Sequence, residues 1–538
     1  MRNRRLIPLT GDWAAKRAGF AWDWPQRFNI ALACCDDWAA EHPNQVALTE
    51  VTEAGCNDWT YGALKDASDR LASAFAAAGV VRGDRVAVLL AQSAAVPIAH
   101  FAAMKLGAVA LPLFTLFGED ALLYRLGDSG AKMVVTDGES LPKIVNIATQ
   151  LPDLKCIFCT EPTATARHLW AEIAGNEPLQ TSVQTDAEDP AVMIYTSGTT
   201  GPPKGVLHAH RFLFGHLPCM ELTHEGFPQP GDKGWTPADW AWIGGLMDMA
   251  MPCLYYGVPL VAHRMRKFDA GAAYALIAEH NIRNLFLPPT ALKLMRGTPV
   301  PSGLNIRSIS SGGESLGAEM LAWGRQTLGA PINELYGQTE CNLCITQAAG
   351  FMPINPATMG QPLPGFDVVV QDEDGNPCPP GVMGEICIRK GAASMFLRYW
   401  NQPEKTAAKF RGDWLRTGDL GHVDAQGYIT FEARDDDVIT SAGYRIGPSE
   451  IENCLMGDAD VVMAAAVGIP DPVRTEVIRA FVVLRDGASQ DGAAKRLIER
   501  VKSRVSPHVA PRDVVFVKTL PMTATGKVMR RELRDYTV

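Results

Sequence analysis

Runs long and apolar enough for a bilayer are missing from this 538-residue chain. The charge-free stretch 86–104 spans 19 residues, but Gln92, Ser93, Pro97 and His100 interrupt it, which argues against a membrane span. A basic excess is also absent. Fifty Lys and Arg stand against 59 Asp and Glu, a formal charge of −9, the wrong sign for a general nucleic-acid binder. No internal repeat or low-complexity segment is found. With 47% hydrophobic and 20% charged residues, the composition excludes disorder, collagen and coiled coil. The amino end is basic but reaches Gly11, Asp12 and Trp13 without an apolar core, so no secretory signal is expected. Cys156/Cys159 and Cys341/Cys344 have CxxC spacing, yet they lie about 180 residues apart and lack a His-x-x-x-His partner, which disfavours zinc. Twelve scattered cysteines read as reduced thiols, and the expected location is cytoplasmic.

The length itself predicts two to four domains (at roughly 150 residues each). Strand, helix and strand patterns follow one another at 86–90, 93–105 and 108–113, and again at 132–136, 140–151 and 155–159. Alternation of this kind predicts a parallel sheet covered by helices on both faces. A second run, from 191 to about 345, has strands near 192–195, 260–263, 284–287 and 308–310. From about 360 to 431 short alternating strands at 367–371, 384–389 and 428–431 suggest a small antiparallel barrel. After Asp435, Asp436 and Asp437 comes a compact tail with strands at 461–467 and 477–483 and a helix at 493–504. Residues 493–538 carry eleven Lys and Arg against four Asp and Glu, a net of +7. An acidic protein with a basic end suits a small polyanion.

One loop names that polyanion. Past the strand ending at Tyr195 come Thr196, Ser197, Gly198, Thr199, Thr200, Gly201, Pro202, Pro203, Lys204 and Gly205. The glycines let backbone N–H groups approach an anion, the hydroxyls add donors and Lys204 adds charge, which fits a nucleotide polyphosphate. Gly205 stands where a Walker loop would place a Mg²⁺-holding Ser or Thr. Downstream, in order, lie Tyr336-Gly337-Gln338-Thr339-Glu340, then Asp413 to Leu420 with Asp419, then Gly443-Tyr444-Arg445, then Gly526-Lys527. Each alone is weak; a surface loop, a turn cap or a terminal Gly-Lys pair would explain it.

Together these motifs resemble the adenylate-forming superfamily of acyl-CoA synthetases, peptide-synthetase adenylation domains and luciferases, over essentially the whole chain. The resemblance is nearest to the acetyl-CoA and medium-chain acyl-CoA synthetase branch. It implies an α/β fold with a large N-terminal domain (1–435) of two doubly wound sheets plus a small barrel, and a small mobile α+β domain (436–538). It implies that Thr196, Ser197, Gly198, Thr199, Thr200 and Lys204 hold the ATP phosphates. Gly312, Gly313, Glu314, Tyr336, Gly337 and Gln338 would line the adenine side, Thr339 would bond the α-phosphate and Glu340 would carry Mg²⁺. Asp419 and Arg434 would bind the ribose, Asp436 would be the hinge, and Lys527 would drive adenylation. Gly443 and Arg445 would flank the coenzyme A entry, with Lys502 and Arg504 offered to its 3′-phosphate; a solvated helix face is the alternative for those two. Ala433, Ser315, Thr440 and Ala442 depart from the family pattern, the last two making luciferase-like oxidation less expected.

The implied reaction is adenylation of a carboxylic acid by ATP followed by transfer to coenzyme A. Both reactants of the first step are anions, so positioning and neutralisation dominate. Absence of a nucleophile elbow is consistent with this, since AMP leaves readily and the thiol comes with the substrate. Trp242, Ile243, Leu246, Gly312 and Gly337 would form the acid pocket; core packing is the alternative for the aromatic patch 238–245. Gly337 falls where acetate-specific relatives carry a Trp, so an open pocket for acids of about four or more carbons, or a benzoate-sized ring, is expected. Expected partners are a small acid, ATP and coenzyme A, without nucleic acid or membrane, in a monomer or small homo-oligomer. An enzyme that loads a carrier protein is the second reading, and a decayed nucleotide-binding regulator a third.

Overall fold

The computed structural model describes residues 4–196, 202–313, 316–434, 437–441, 444–471, 475–505, 507, 509–523 and 527–536. Its elements make four sheets with helices packed between and around them.

The first sheet has eight strands, ordered Arg398–Tyr399, Lys204–Ala209, Pro190–Thr196, Val109–Pro112, Arg85–Leu89, Met133–Thr136, Cys156–Cys159 and Arg167–His168. Pairing is parallel from Pro190–Thr196 onward, and helices make the crossovers except between Cys156–Cys159 and Arg167–His168, which a loop joins. Strands buried on both faces read as unbroken apolar runs, which is why Arg85–Leu89 and Met133–Thr136 were visible in the sequence. The helix Ala95–Lys105 between them is buried at every residue. A helix apolar all round must be covered, and here protein covers it. Lys105 at its end is fully buried but ion-paired to Asp69 at 2.5 Å and Asp36 at 2.9 Å, so its charge is matched. No helix among the described residues is long and apolar enough to cross a membrane.

The second sheet has nine strands, ordered Gln361–Pro362, Asn342–Thr346, Ile332–Gln338, Ser308–Gly312, Asn284–Phe286, Gly234–Trp235, Leu260–His263, Val46–Thr52 and Gly55–Thr60. Two placements differ from the order of the sequence. Pro190–Thr196, read with the second run, joins the first sheet through Ala110 and Val192. Val46–Thr52 skips forward to lie parallel to Leu260–His263. Apolar pattern marks a strand but carries no label for its neighbour.

Residues 368–434 form a five-stranded antiparallel sheet in which Gly384–Arg389 and Ile429–Arg434 both pair with Trp414–Val423. Among the described residues its pairing is an open path, so the expected barrel is not closed by hydrogen bonds. A fourth sheet, Tyr444–Ile446, Ile439–Ser441, Thr475–Leu484, Val461–Asp471 and Asp513–Phe516, carries the helices Pro448–Met456 and Ala493–Arg504. Ile451, Leu455, Leu497 and Val501 fill the core between them.

Candidate active site

The site gathers where the second sheet meets the antiparallel sheet. Ile332–Gln338 delivers Tyr336 and Gln338 to the end of its sheet. Trp414–Val423 and Ile429–Arg434 deliver the acidic and basic partners, because their register sets Asp419 opposite Arg434. The Tyr336 hydroxyl donates to Asp419 Oδ2 at 2.6 Å, and Gln338 Nε2 donates to the same oxygen at 2.7 Å. Arg434 faces the other oxygen at 3.3 Å. Asp419 is buried, so these partners are what make its charge tolerable. Burial first, and the Asp419 carboxylate second, hold the Tyr336 phenol well above its usual range, so it stays a donor. Gln338 also donates to the Thr417 carbonyl at 2.8 Å, locking the two sheets together.

The phosphate side is built from the hairpin of Pro190–Thr196 and Lys204–Ala209. Its register sets Thr196 opposite Lys204, so the two ends of the Gly/Ser/Thr loop are held together. Ser197, Gly198, Thr199 and Thr200 lie outside the described residues. Lys204 Nζ sits 4.8 Å above the Tyr399 ring, and the Tyr399 hydroxyl donates to Glu340 Oε1 at 2.5 Å. Burial lowers the Lys204 pKa; Glu340 opposes this, while Lys409, Lys405 and Arg434 push the same way as burial. Lys204, Lys405, Lys409 and Arg434 therefore gather near two buried carboxylates, Glu340 and Asp419. A magnesium ion is ordinarily held by one or two carboxylates plus substrate phosphates. Glu340 with the phosphate loop fits that pattern, and no cluster of three or more His, Cys, Asp or Glu side chains among the described residues offers another cage. Thr339 is half-buried in the turn before Glu340.

On the acid side, Trp242 tilts against Phe286 at 5.4 Å. Gly313 has φ +107°, and a Cβ there would lie 3.7 Å from Trp242 Cζ2 and 4.0 Å from Lys527 Cε. Lys527, from the far end of the chain, thus reaches the wall of the pocket. Its backbone is pinned by the Thr523 hydroxyl, which accepts from Lys527 N at 3.0 Å. A Cβ on Gly312 would meet the Leu335 carbonyl at 2.8 Å, so glycine is needed where the two parallel strands close. Ile243 and Leu246 are buried, but Leu246 stands about half a turn from Gly244 and belongs to core packing.

Gly337 corrects an expectation. A Cβ there would fall 1.9 Å from the Asn342 carbonyl oxygen. The glycine gives the hairpin Ile332–Gln338/Asn342–Thr346 its close approach, at a register shift, so its identity answers to backbone packing and not to pocket depth.

Glu314 and Asp436 lie outside the described residues, as do Gly443 and the side chain of Arg445. Lys502 and Arg504 are exposed on the last turn of Ala493–Arg504, with Lys502 paired to Glu499 at 3.5 Å. None of their described contacts is with another candidate site residue. Tyr399, Lys409 and Thr417 were missed by sequence reasoning. Thr417 lies within the motif 413–420 but was given no role, while the signal for Tyr399 is indirect: it sits on an edge strand paired with Val206, within the phosphate hairpin.

Comparison with known proteins gives a consistent picture. Residues 35–400 match the family described as AMP-binding enzyme, and residues 450–527 match the AMP-binding enzyme C-terminal domain. Acyl-coenzyme A synthetase ACSM2, mitochondrial, of Rattus norvegicus is 34% identical over 99% of this chain and 94% of its own length. Acetyl-coenzyme A synthetase of Bacillus subtilis (strain 168) is 32% identical, covering 98% and 93%. Among solved structures, a benzoate CoA ligase from Burkholderia xenovorans LB400 superposes with TM-score 0.84 at 28% identity, over 94% of this chain and 100% of that one.

Proposed function

From the premise that the chain belongs to the AMP-binding enzyme family, as an acyl-CoA synthetase-type adenylate-forming ligase, we propose that it activates a short- or medium-chain fatty acid or an aromatic acid. The acid carboxylate attacks the α-phosphorus of ATP, pyrophosphate leaves, and the coenzyme A thiol then displaces AMP from the acyl-adenylate. The observation that carries this reading is the reach of Lys527 to Gly313 and Trp242, which brings a cation to the place where two anions must meet.

The other roles follow from position. Asp419, held by Tyr336 and Gln338, presents a buried acceptor beside Arg434, suited to the two ribose hydroxyls. Lys204 and the loop it closes neutralise the β- and γ-phosphates. Thr339 donates to the α-phosphate, next to Glu340. Bound Mg²⁺ supplies charge neutralisation on the phosphates, and Glu340, oriented by Tyr399, is the residue that would hold it. We place the domain boundary at 435/436 and the hinge at Asp436; rotation there withdraws Lys527 so that coenzyme A can enter past Gly443 and Arg445.

Pyrophosphate release over a panel of acids, with and without coenzyme A, tests the reading. ATP- and acid-dependent release, with acyl-CoA formed when the thiol is added, is the expected result. Adenylate formation with no thioester from coenzyme A would overturn it in favour of another acceptor.

A further inference from the structure

Three buried polar side chains meet beside the acid pocket, and none belongs to a family motif described above. His216 comes from the helix Phe212–Thr223, Asp248 from the short π-helix Leu246–Ala250, and Asn342 from the first position of Asn342–Thr346. Asp248 lies four residues past Gly244, on the same helical face, and a Cβ on Gly244 would press on Phe286 and Trp242 at 2.8 and 3.0 Å. Asn342 is the residue whose carbonyl closes on Gly337. The cluster therefore lies about one helical turn from the wall formed by Trp242 and Phe286.

The contacts converge on one oxygen of Asp248. His216 Nδ1 donates to Asp248 Oδ1 at 2.8 Å. The Asn342 amide donates to the same Oδ1 at 3.0 Å and lies against the His216 ring, touching both of its nitrogens. Burial keeps the imidazole below its usual pKa, against the pull of Asp248, in the direction of a neutral ring. Two acceptors remain, Asp248 Oδ2 and Asn342 Oδ1, and no donor among the described residues reaches either. The Asp248 side chain is 5% exposed, and neither acceptor is among the sealed, partnerless atoms of the described residues, so both open onto space that water or a ligand can fill.

We infer that His216, Asp248 and Asn342 form an acceptor subsite that selects a carboxylic acid bearing a second, hydrogen-bond-donating group, a hydroxyl or an amine, remote from the carboxyl being activated. The inference rests on the acid-activating reading above. Such a group satisfies the two acceptors, whereas a plain hydrocarbon displaces the water that reaches them and leaves them unpaired, which is how a site built for a hydroxyl discriminates. His216 orients Asp248 by occupying Oδ1, which leaves Oδ2 toward the substrate; His216 is a positioning residue in this scheme.

The test compares acids of matched size: 4-hydroxybenzoate and 4-aminobenzoate against 4-methylbenzoate, and 6-hydroxyhexanoate and 6-aminohexanoate against heptanoate. In the wild type, kcat/KM for pyrophosphate release should favour a hydroxyl or amine member over its methyl-ended counterpart by about tenfold or more. Asp248→Leu should reduce that ratio to threefold or less, with Asp248→Asn between. Whichever arm, hydroxyl or amine, shows the preference identifies the donor. Equal or better turnover of both methyl-ended acids in the wild type would overturn the subsite while leaving acid activation standing. Failure to release pyrophosphate with any of the six would overturn both readings. The wild-type ratio decides even if a variant fails to fold.

Discussion

A side chain at position 337 would have nowhere to go. With the Asn342 carbonyl 1.9 Å from where its Cβ would stand, Gly337→Ala should strain the hairpin by about 1–3 kcal/mol. Its thermal midpoint should fall, and kcat/KM should drop by a similar factor for short and long acids alike. A selective gain for acetate would instead show that the residue gauges chain length. Lys527 behaves differently, being attached to one step. Lys527→Ala should slow acid-dependent pyrophosphate exchange by about a hundredfold or more, because a positioned charge at the reacting anions is lost. Thioester formation from supplied acyl-adenylate should change little; comparable losses in both half-reactions would refute the division of roles. At this scale the sequence was legible wherever chemistry is concentrated in a contiguous motif, as with Tyr336, Gln338, Glu340 and Asp419. It was silent on His216, Asp248 and Asn342, which are 32, 94 and 126 positions apart in their pairings and meet only through packing. Gly337 was misjudged because a glycine needed for backbone approach and a glycine that opens a pocket are the same letter.

Among the elements, the helix Phe212–Thr223 does a second job at its far end. Glu221 accepts from Leu6 N at 2.6 Å, from Ile7 N at 2.7 Å and from the Tyr256 hydroxyl, tying the first described residues to the core. Burial outweighs these bonds and lifts its pKa from 4.5 to about 7. The folded protein therefore binds this proton more tightly than the unfolded chain does. Its contribution to stability is full below about pH 4.5 and is lost as pH rises through about 7, a swing on the order of 1–3 kcal/mol. Glu221→Gln should flatten the dependence of thermal midpoint on pH between 5 and 8; an unchanged slope would assign that dependence elsewhere. Element boundaries were readable where an apolar run was bounded by turn residues, so Leu260–His263, Gly384–Arg389 and Ala493–Arg504 fall where the pattern put them. Sheet membership was not readable, since Pro190–Thr196 is apolar enough for either sheet and only its long-range pairing decides.

Over the whole molecule, the lysine that reaches the pocket is braced from a distance. Arg530, three residues beyond it, pairs with Glu452 at 2.8 Å and with Asp437 at 3.3 Å, and Arg534 pairs with Asp437 at 3.5 Å. Asp437 directly follows the proposed hinge, so the tail that carries Lys527 is fastened to the segment about which it would turn. Arg530→Ala should lower pyrophosphate exchange about tenfold by loosening the placement of Lys527, and should alter thioester formation from supplied acyl-adenylate far less. Equal effects on the two steps would make the brace merely structural. A last consequence follows from Val46–Thr52 and its parallel neighbour Leu260–His263, joined also by His263 Nδ1 to the Val51 carbonyl across 212 residues. At about 5–20 residues per second, a ribosome needs roughly 10–40 s to make the chain between them. Throughout that interval one side of a largely buried strand has no partner and stays open to other chains. The amino-terminal segment of this protein thus keeps an unpaired strand edge during synthesis, long before there is a site for it to help build.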